Sequence, residues 1–271
     1  NTNMYESAAV QRNLKTLRND GYTIVQPGAG ELACGAVGAG RLPDAEQIAE
    51  SVNNCLLPKD FNGKRVVVTA GPTREPMDPV RFVSNPSSGK MGYAVARAAA
   101  ARGADVVLVA GPTSLPDPHG VKVVRVDTAS EMAEAVFADM DAADVVIKVA
   151  AVSDYRPVEV ASQKMKKQAD ELVVKMAKTE DILESLGKRK KNQVLVGFAA
   201  ETEDLDKNAL DKLERKNLDM IVGNLIGAPD AGFEADTNKM KLFFKDGHVE
   251  DLPVMDKDEA AHALLDRILG R

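Results

Sequence analysis

A chain of 271 residues, 44% hydrophobic and 28% charged with no Trp, is long enough to bury one large core beside a small module, and no apolar run in it approaches the ~18 residues of a membrane span. Its formal net charge of −6 argues against a nucleic-acid coat, which needs a basic surface to neutralise phosphates. Two cysteines, Cys34 and Cys55, are too few for a disulfide framework and do not have the spacing of a tetrahedral metal site, so structural zinc is not expected.

The first ten residues carry no basic region followed by an apolar one, so no secretion signal is read and the cytoplasm is the expected compartment. Apolar residues at helical spacing (Ala9, Leu14, Leu17) predict a helix over residues 6–20, stopped by Gly21, and a strand is expected over 22–26. A glycine-rich loop follows, then a helix over 44–54. Pro58 and Asn62-Gly63 mark a linker, which divides the chain into 1–57 and 58–271. From Arg65 the pattern alternates. Val- and Ile-rich runs over 65–70, 105–110, 121–126, 144–151, 193–200 and 219–224 are separated by helical stretches over 89–102, 130–140, 179–187 and 205–216. Short runs of this kind are parallel strands buried on both faces, which predicts an α/β fold with a doubly wound, mostly parallel, Rossmann-like sheet. Near the end, runs over 239–244 and 248–252 flank Asp246-Gly247 and predict a C-terminal β-hairpin, followed by a helix over 256–269.

Open α/β sheets bind ligands at the carboxyl ends of their strands, so the loops after residues 70, 151 and 200 are where chemistry is expected. The first of these holds Arg74, Asp78, Arg81 and Asn85, then Ser88-Gly89-Lys90 at a helix start, where free amides and a close glycine make an anion seat. It is not a P-loop, because that motif needs a Gly where Ser84 stands and a Ser or Thr where Met91 stands. Gly28, Gly30 and Ala33 have the spacing of a dinucleotide fingerprint, but Gly35, Gly38 and Gly40 would break the helix that such a motif must open. Basic residues crowd into 164–168, 188–191 and the set Lys207, Lys212, Arg215 and Lys216, a distribution suited to a small polyanion. At the level of fold, a nicotinamide oxidoreductase and a catalytically silent nucleotide sensor stay open beside an enzyme using a nucleotide.

The stretch AGPTREPMDPVRFVSNPSSGKMG, with AAVSDYRP, KMKKQ, GFAAET and KLERKNLDMIVGN in the same order, resembles the bacterial phosphopantothenoylcysteine synthetase pattern across residues 65–224. NTNMY at the start and LACGAVGAGRL over 32–42 resemble the last substrate-binding segment and the cysteine flap of the phosphopantothenoylcysteine decarboxylase to which that synthetase is fused. The resemblance therefore implies a C-terminal segment of a decarboxylase domain followed by a synthetase domain.

What it implies chemically is a ligase of coenzyme A biosynthesis. CTP, with Mg2+, activates the carboxylate of 4'-phosphopantothenate as an acyl cytidylate, releasing pyrophosphate, and the amine of L-cysteine displaces CMP. By resemblance Lys164, Lys212 and Lys216 are CTP ligands, and Asp154 binds the nucleotide or its Mg2+. Lys148, Val149 and Ala150 line its approach, Glu180, Asp181, Ile182 and Leu183 contact it through backbone groups, and Phe198 packs on it. Lys212 and Lys216, four apart on a predicted helix, are expected on one face. The segment at Glu180 departs from the family's usual Pro-Asp-Ile run. Asn85 corresponds to the asparagine at the acyl intermediate, and Arg81 is the candidate clamp for substrate phosphate or carboxylate. Cys34 would be the decarboxylase proton donor and Asn1 a substrate contact, with FMN needed only in the intact bifunctional protein. Decarboxylation by this chain alone is not expected. The family's synthetase part implies a homodimer, and the intact protein a larger assembly.

Overall fold

The computed structural model describes residues 1–32, 35, 37–166, 172–201, 204–225 and 237–270, and the chain divides into two units, Asn1–Lys59 and Asp60–Arg271. In the first unit, Asn1 caps α1 (Thr2–Tyr5), its Oδ1 accepting the Met4 amide at 3.1 Å, and Ser7 caps α2 (Ala8–Asn19). The strand expected over 22–26 is not formed. The glycine-rich segment after it, expected as a loop, instead pairs as an antiparallel hairpin of β1 (Gly28–Glu31) and β2 (Val37–Arg41), followed by α3 (Ala45–Leu56). The hairpin escapes a reading by strand propensity because its glycines serve close packing. A Cβ on Gly38 would stand 2.4 Å from Thr2 Oγ1, so only glycine lets α1 lie on β2. Gly28 and Gly30 thus sit in a strand and open no helix. Ala33 and Cys34 lie outside the described residues.

In the second unit the chain forms β3 (Arg65–Ala70), β4 (Arg74–Pro76), β5 (Phe82–Ser84), α4 (Lys90–Ala101), β6 (Asp105–Ala110), β7 (Lys122–Arg125), α5 (Ala129–Met140) and β8 (Val145–Lys148). It continues through β9 (Tyr155–Pro157), β10 (Met176–Lys178), α6 (Ile182–Arg189), β11 (Val194–Glu201), α7 (Leu205–Arg215) and β12 (Met220–Leu225). It ends with β13 (Thr237–Asn238), β14 (Lys241–Phe244), β15 (Val249–Asp251), β16 (Met255–Asp256) and α8 (Lys257–Leu269). Eight strands make one sheet in the order β15-β14-β12-β11-β8-β3-β6-β7. Its strands from β12 to β7 run parallel, and β14 and β15 join antiparallel at the edge.

Strand residues alternate between two cores, as the two-residue period of a pleated sheet requires. Val66, Val68, Val106, Leu108, Ile147 and Val222 pack with α4 and α8, whereas Val67, Val107, Val109, Val146 and Ile221 pack with α5, α6 and α7. Each such side chain contributes roughly 1.5–3 kcal/mol of hydrophobic burial, which is why the strands read as unbroken apolar runs. The sheet builds outward from β3 to β6 and β7, then the chain returns past β3 to place β8 on the other side. At that reversal the connections leave in opposite directions, and the crevice beyond the carboxyl ends of β3 and β8 is left open.

Candidate functional site

Thr69, fully buried near the end of β3, organises this crevice. Its Oγ1 accepts the amides of Val149 at 3.1 Å and Ala150 at 3.0 Å, pinning the loop after β8 onto β3. The two loops then run together, with Ala151 N–H on Gly71 O at 2.9 Å and Ser153 N–H on Thr73 Oγ1 at 3.0 Å. A cleft of about 430 Å³ opens beside them, lined also by residues 85–92, by Phe198 of β11 and by Asn224 of β12. A second cavity of about 400 Å³ adjoins it, and Lys148, Val152 and Asp154 line both.

One wall of the larger cleft is the start of α4. Gly89 caps this helix in the left-handed region, φ 77, where a Cβ would also stand 2.8 Å from Thr113 Cγ2. The amides of Gly89 and Lys90 reach the hydroxyl oxygens of Ser87 and Ser88 at 3.4 Å, long bonds that an anion would displace. The start of α4, where an anion seat was expected, thus turns two amides toward the cleft.

Cations converge on the junction of the two cavities from β8 and α7. Lys148 is half-buried at the end of β8, and its ammonium donates to Ala150 O at 3.2 Å. Burial lowers its pKa to about 8, repulsion from Lys216 and Lys212 acts in the same direction, and Asp181 and Asp154 partly oppose them. Lys212 lines the larger cleft and Lys216, the residue that ends α7, lines the smaller, so the two approach Lys148 from different cavities. Lys216 Nζ lies 2.6 Å from Asp181 Oδ2. Burial pushes the Asp181 carboxyl up, but the Lys216 hydrogen bond, the Glu184 amide and the charges of Lys216 and Lys148 outweigh it and hold it below the usual carboxylate range.

Most of the residues singled out in the sequence gather here. Asn85, after β5, lies on the lip of the larger cleft and donates its Nδ2–H to Val152 O at 3.0 Å. Asp154 is exposed and faces both cavities, while Val149, Ala150 and half-buried Phe198 line the larger. Glu180 lines the smaller cavity, where its carboxylate accepts the Ser185 hydroxyl at 2.7 Å. Asp181 caps α6 by accepting the Glu184 amide at 3.0 Å. The side chains of Ile182 and Leu183 are buried in the core, so this turn faces a ligand with backbone.

Three candidates stand apart. Arg81 lines neither cavity; its guanidinium donates to Met165 O at 3.1 Å and lies 3.9 Å from the buried carboxylate of Asp78. Lys164 is exposed and lines neither cavity. Asn1 is a helix cap in the first unit. Asn224, Asn238 and Lys257 line the larger cleft without having been singled out. Lys257 had one signal available, a cation at the first position of α8, where the helix dipole disfavours it. Among the described residues no three of His, Cys, Asp and Glu gather into a metal site, and no helix is long and apolar enough to cross a membrane.

Compared with known proteins, residues 61–270 match the family described as DNA/pantothenate metabolism flavoprotein C-terminal domain, and residues 1–57 match the family described as Flavoprotein. A coenzyme A biosynthesis bifunctional protein CoaBC from Bacillus subtilis (strain 168) is 48% identical over 272 residues, covering 99% of this chain and 67% of that protein. A protein named cysteine/cysteine sulfinic acid decarboxylase, from an unknown prokaryotic organism, is 45% identical over 268 residues, covering 96% of this chain and 75% of that one. The crystal structure of the C-terminal domain of a coenzyme A biosynthesis bifunctional protein CoaBC superposes with a TM-score of 0.68 at 44% identity, covering 78% of this chain and 97% of that domain.

Proposed function

Because this chain belongs to the DNA/pantothenate metabolism flavoprotein C-terminal domain family, we propose that its larger unit is a phosphopantothenate-cysteine ligase that uses CTP. The carboxylate of 4'-phosphopantothenate attacks the α-phosphorus of CTP, pyrophosphate leaves, and the amine of L-cysteine then displaces CMP from the acyl cytidylate to form the amide. The observation that carries this reading is the crevice itself, where Lys148, Lys212 and the amides at the start of α4 line the cleft that bears Asn85 on its lip, with Lys216 in the adjoining cavity. Such a reaction needs charge neutralised and groups aligned more than it needs a covalent nucleophile, and the crevice supplies both.

In this mechanism the lysines and the amides of Gly89 and Lys90 hold the triphosphate. Asn85 orients the acyl group through an amide that both donates and accepts. Asp154, an exposed carboxylate lining both cavities, would hold Mg2+ together with the triphosphate. Mg2+ would offset phosphate charge there. Arg81 and Lys164, which line neither cavity, are proposed as ligand contacts on the resemblance alone.

The match of residues 1–57 to the Flavoprotein family, and the relative named as a decarboxylase, support FMN-dependent decarboxylation in a protein that carries more of that domain. No described residue of the first unit is buried, and no step here is assigned to a flavin. A cytoplasmic homodimer is proposed for the ligase; exposed Val80 and Phe82 on the hairpin of β4 and β5 support an apolar contact, and light scattering at the mass of one chain would contradict it.

Pyrophosphate release with CTP, Mg2+ and 4'-phosphopantothenate, with and without L-cysteine and against ATP, tests the activity. Release that requires the pantothenate and favours CTP is expected. CTP binding without turnover would favour a nucleotide sensor, and tight NAD binding without pyrophosphate would favour an oxidoreductase.

A further inference from the structure

The start of α4 and the loop after β3 meet glycine to glycine. Gly71 and Gly89 both lie in the left-handed region, φ 76 and 77, and a Cβ on Gly89 would stand 3.3 Å from Gly71 N. Neither brings a side chain to hold the junction, and glycine backbone turns more freely than any other. The notch they leave is filled from a third loop. A Cβ on either glycine would stand 2.8 Å from one and the same atom, Cγ2 of Thr113 in the loop after β6. Gly71 and Gly89 line the larger cleft whereas Thr113 lines neither cavity, so its methyl supports them from outside the site.

The hydroxyl of Thr113 is anchored to α4 and to β7. Tyr93, fully buried in the first turn of α4, places its Oη 3.0 Å from Thr113 Oγ1. Arg125 at the end of β7 donates to the Tyr93 oxygen at 2.7 Å and to Thr113 Oγ1 at 3.4 Å. The Tyr93 amide in turn donates to Gly89 O at 3.1 Å, the first rung of the helix. Gly111 N–H bonds Ala70 O at 2.9 Å, which ties the loop carrying Thr113 to the end of β3. The methyl is thus fixed to both elements whose junction it fills. Backbone amides hold an anion by direction as well as by charge, and a helix start free to turn about its capping glycine would spread its donors.

Resting on the reading of the larger cleft as a nucleoside triphosphate site, we propose that Thr113 is a positioning residue for the phosphate seat, its γ-methyl fixing Gly89 and so aiming the amides of Gly89 and Lys90 at the phosphates. Thr113 itself touches no ligand. Its effect travels through the backbone of Gly89 and falls on the phosphates, not on the base or the amine substrate.

The test is calorimetric binding of CTP and of inorganic tripolyphosphate, each with Mg2+, to the full chain, to Thr113→Ser and to Thr113→Val, with KM and kcat measured alongside. The serine variant keeps the hydroxyl and deletes the methyl, and the valine variant does the reverse. Thr113→Ser is expected to weaken CTP and tripolyphosphate by the same factor, about 10-fold, and to raise the KM for CTP with them while the KM for L-cysteine is unmoved. Thr113→Val should bind both within about threefold of the unaltered chain. Unchanged binding by Thr113→Ser, an equal loss in both variants, or a lower kcat at unchanged KM, as a smaller folded fraction would give, overturns the proposal and leaves the nucleotide site standing. A loss of CTP without a parallel loss of tripolyphosphate would move the effect off the phosphates and overturn it too. Failure of the unaltered chain to bind CTP would instead overturn the nucleotide reading, and this proposal with it.

Discussion

Lys216 and Asp181 meet at 2.6 Å, and the same carboxylate caps α6 through the Glu184 amide at 3.0 Å, so one residue both starts a helix and sets the position of a cation lining the smaller cavity. Lys216→Met should raise the KM for CTP about 10- to 100-fold, the loss of a charge-assisted contact worth roughly 1.5–3 kcal/mol. Thermal stability should barely change, because the Asp181 side chain is 43% exposed and keeps its helix cap. An unchanged KM would remove Lys216 from the nucleotide site.

In the proposed nucleotide site, Lys148 should make CTP binding proton-linked. Burial and the neighbouring Lys216 and Lys212 lower its pKa from 10.5 to about 8, and a bound triphosphate reverses the balance of charge around it. CTP binding at pH 8 to 9 should therefore take up protons, seen as a binding enthalpy that depends on the ionisation enthalpy of the buffer, and this dependence should fade by pH 6.5. Lys148→Met should abolish it. Because the folded-state pKa is depressed, the fold resists protonating this lysine. The cost, about 3 kcal/mol, is fully present below pH 8 and vanishes as pH rises past 10.5. The variant should accordingly melt higher than the unaltered chain at pH 7 and lose that advantage toward pH 10.5; a lower melting temperature at pH 7 would mean that Lys148 is stabilised in the fold.

The parallel sheet was legible because β3, β6, β8, β11 and β12 are apolar on both faces, a pattern set by burial itself. The short antiparallel pairs near the crevice were not. β4 and β5 have three residues each and include Pro76, and they form because Met77 N–H and Arg81 O close the turn at 2.8 Å above the buried carboxylate of Asp78, which accepts the amides of Val80 and Arg81. Residues 22–26 failed in the opposite sense, having strand-like composition without a partner to pair with among the described residues. The crevice residues within the motifs of residues 85–90, 148–154 and 212–216 could be named from sequence. Asn238 could not, because it reaches the cleft from β13, outside those motifs.

Arg102 is a structural clamp at the opposite end of α4. It is 3% exposed, bonds Asp60 through two nitrogens at 2.8 and 2.6 Å and Asp266 at 2.7 Å, and lies 5.2 Å from the Phe61 ring centroid, tying the start of the unit to α8. Arg102→Met should lower stability by about 2–4 kcal/mol, read by urea unfolding, because it strips several charged hydrogen bonds at once. Arg102→Lys should recover only part of this, since an ammonium cannot reproduce the two-pronged contact with Asp60. KM for CTP at low temperature should be unchanged in both, as Arg102 lines neither cavity.

In the proposed ligase, Asn85 is expected to separate the two half-reactions. Its Nδ2–H is fixed on Val152 O at 3.0 Å, within the loop that Thr69 and Thr73 hold against β3, so the side chain is positioned before any ligand arrives. Asn85→Asp replaces that donor with an acceptor, sets a carboxylate against Val152 O and places a negative charge beside an acyl phosphate that is already anionic. The mixed anhydride should form slowly and fail to pass its acyl group to the amine. Amide formation should fall about 100- to 1,000-fold, the usual scale for losing one oriented donor at a reacting centre. The decisive comparison is pyrophosphate against phosphopantothenoylcysteine in single-turnover mixing. Pyrophosphate appearing ahead of product would place Asn85 at the acyl intermediate, an equal slowing of both would place it at nucleotide activation, and unchanged turnover would remove it from the mechanism.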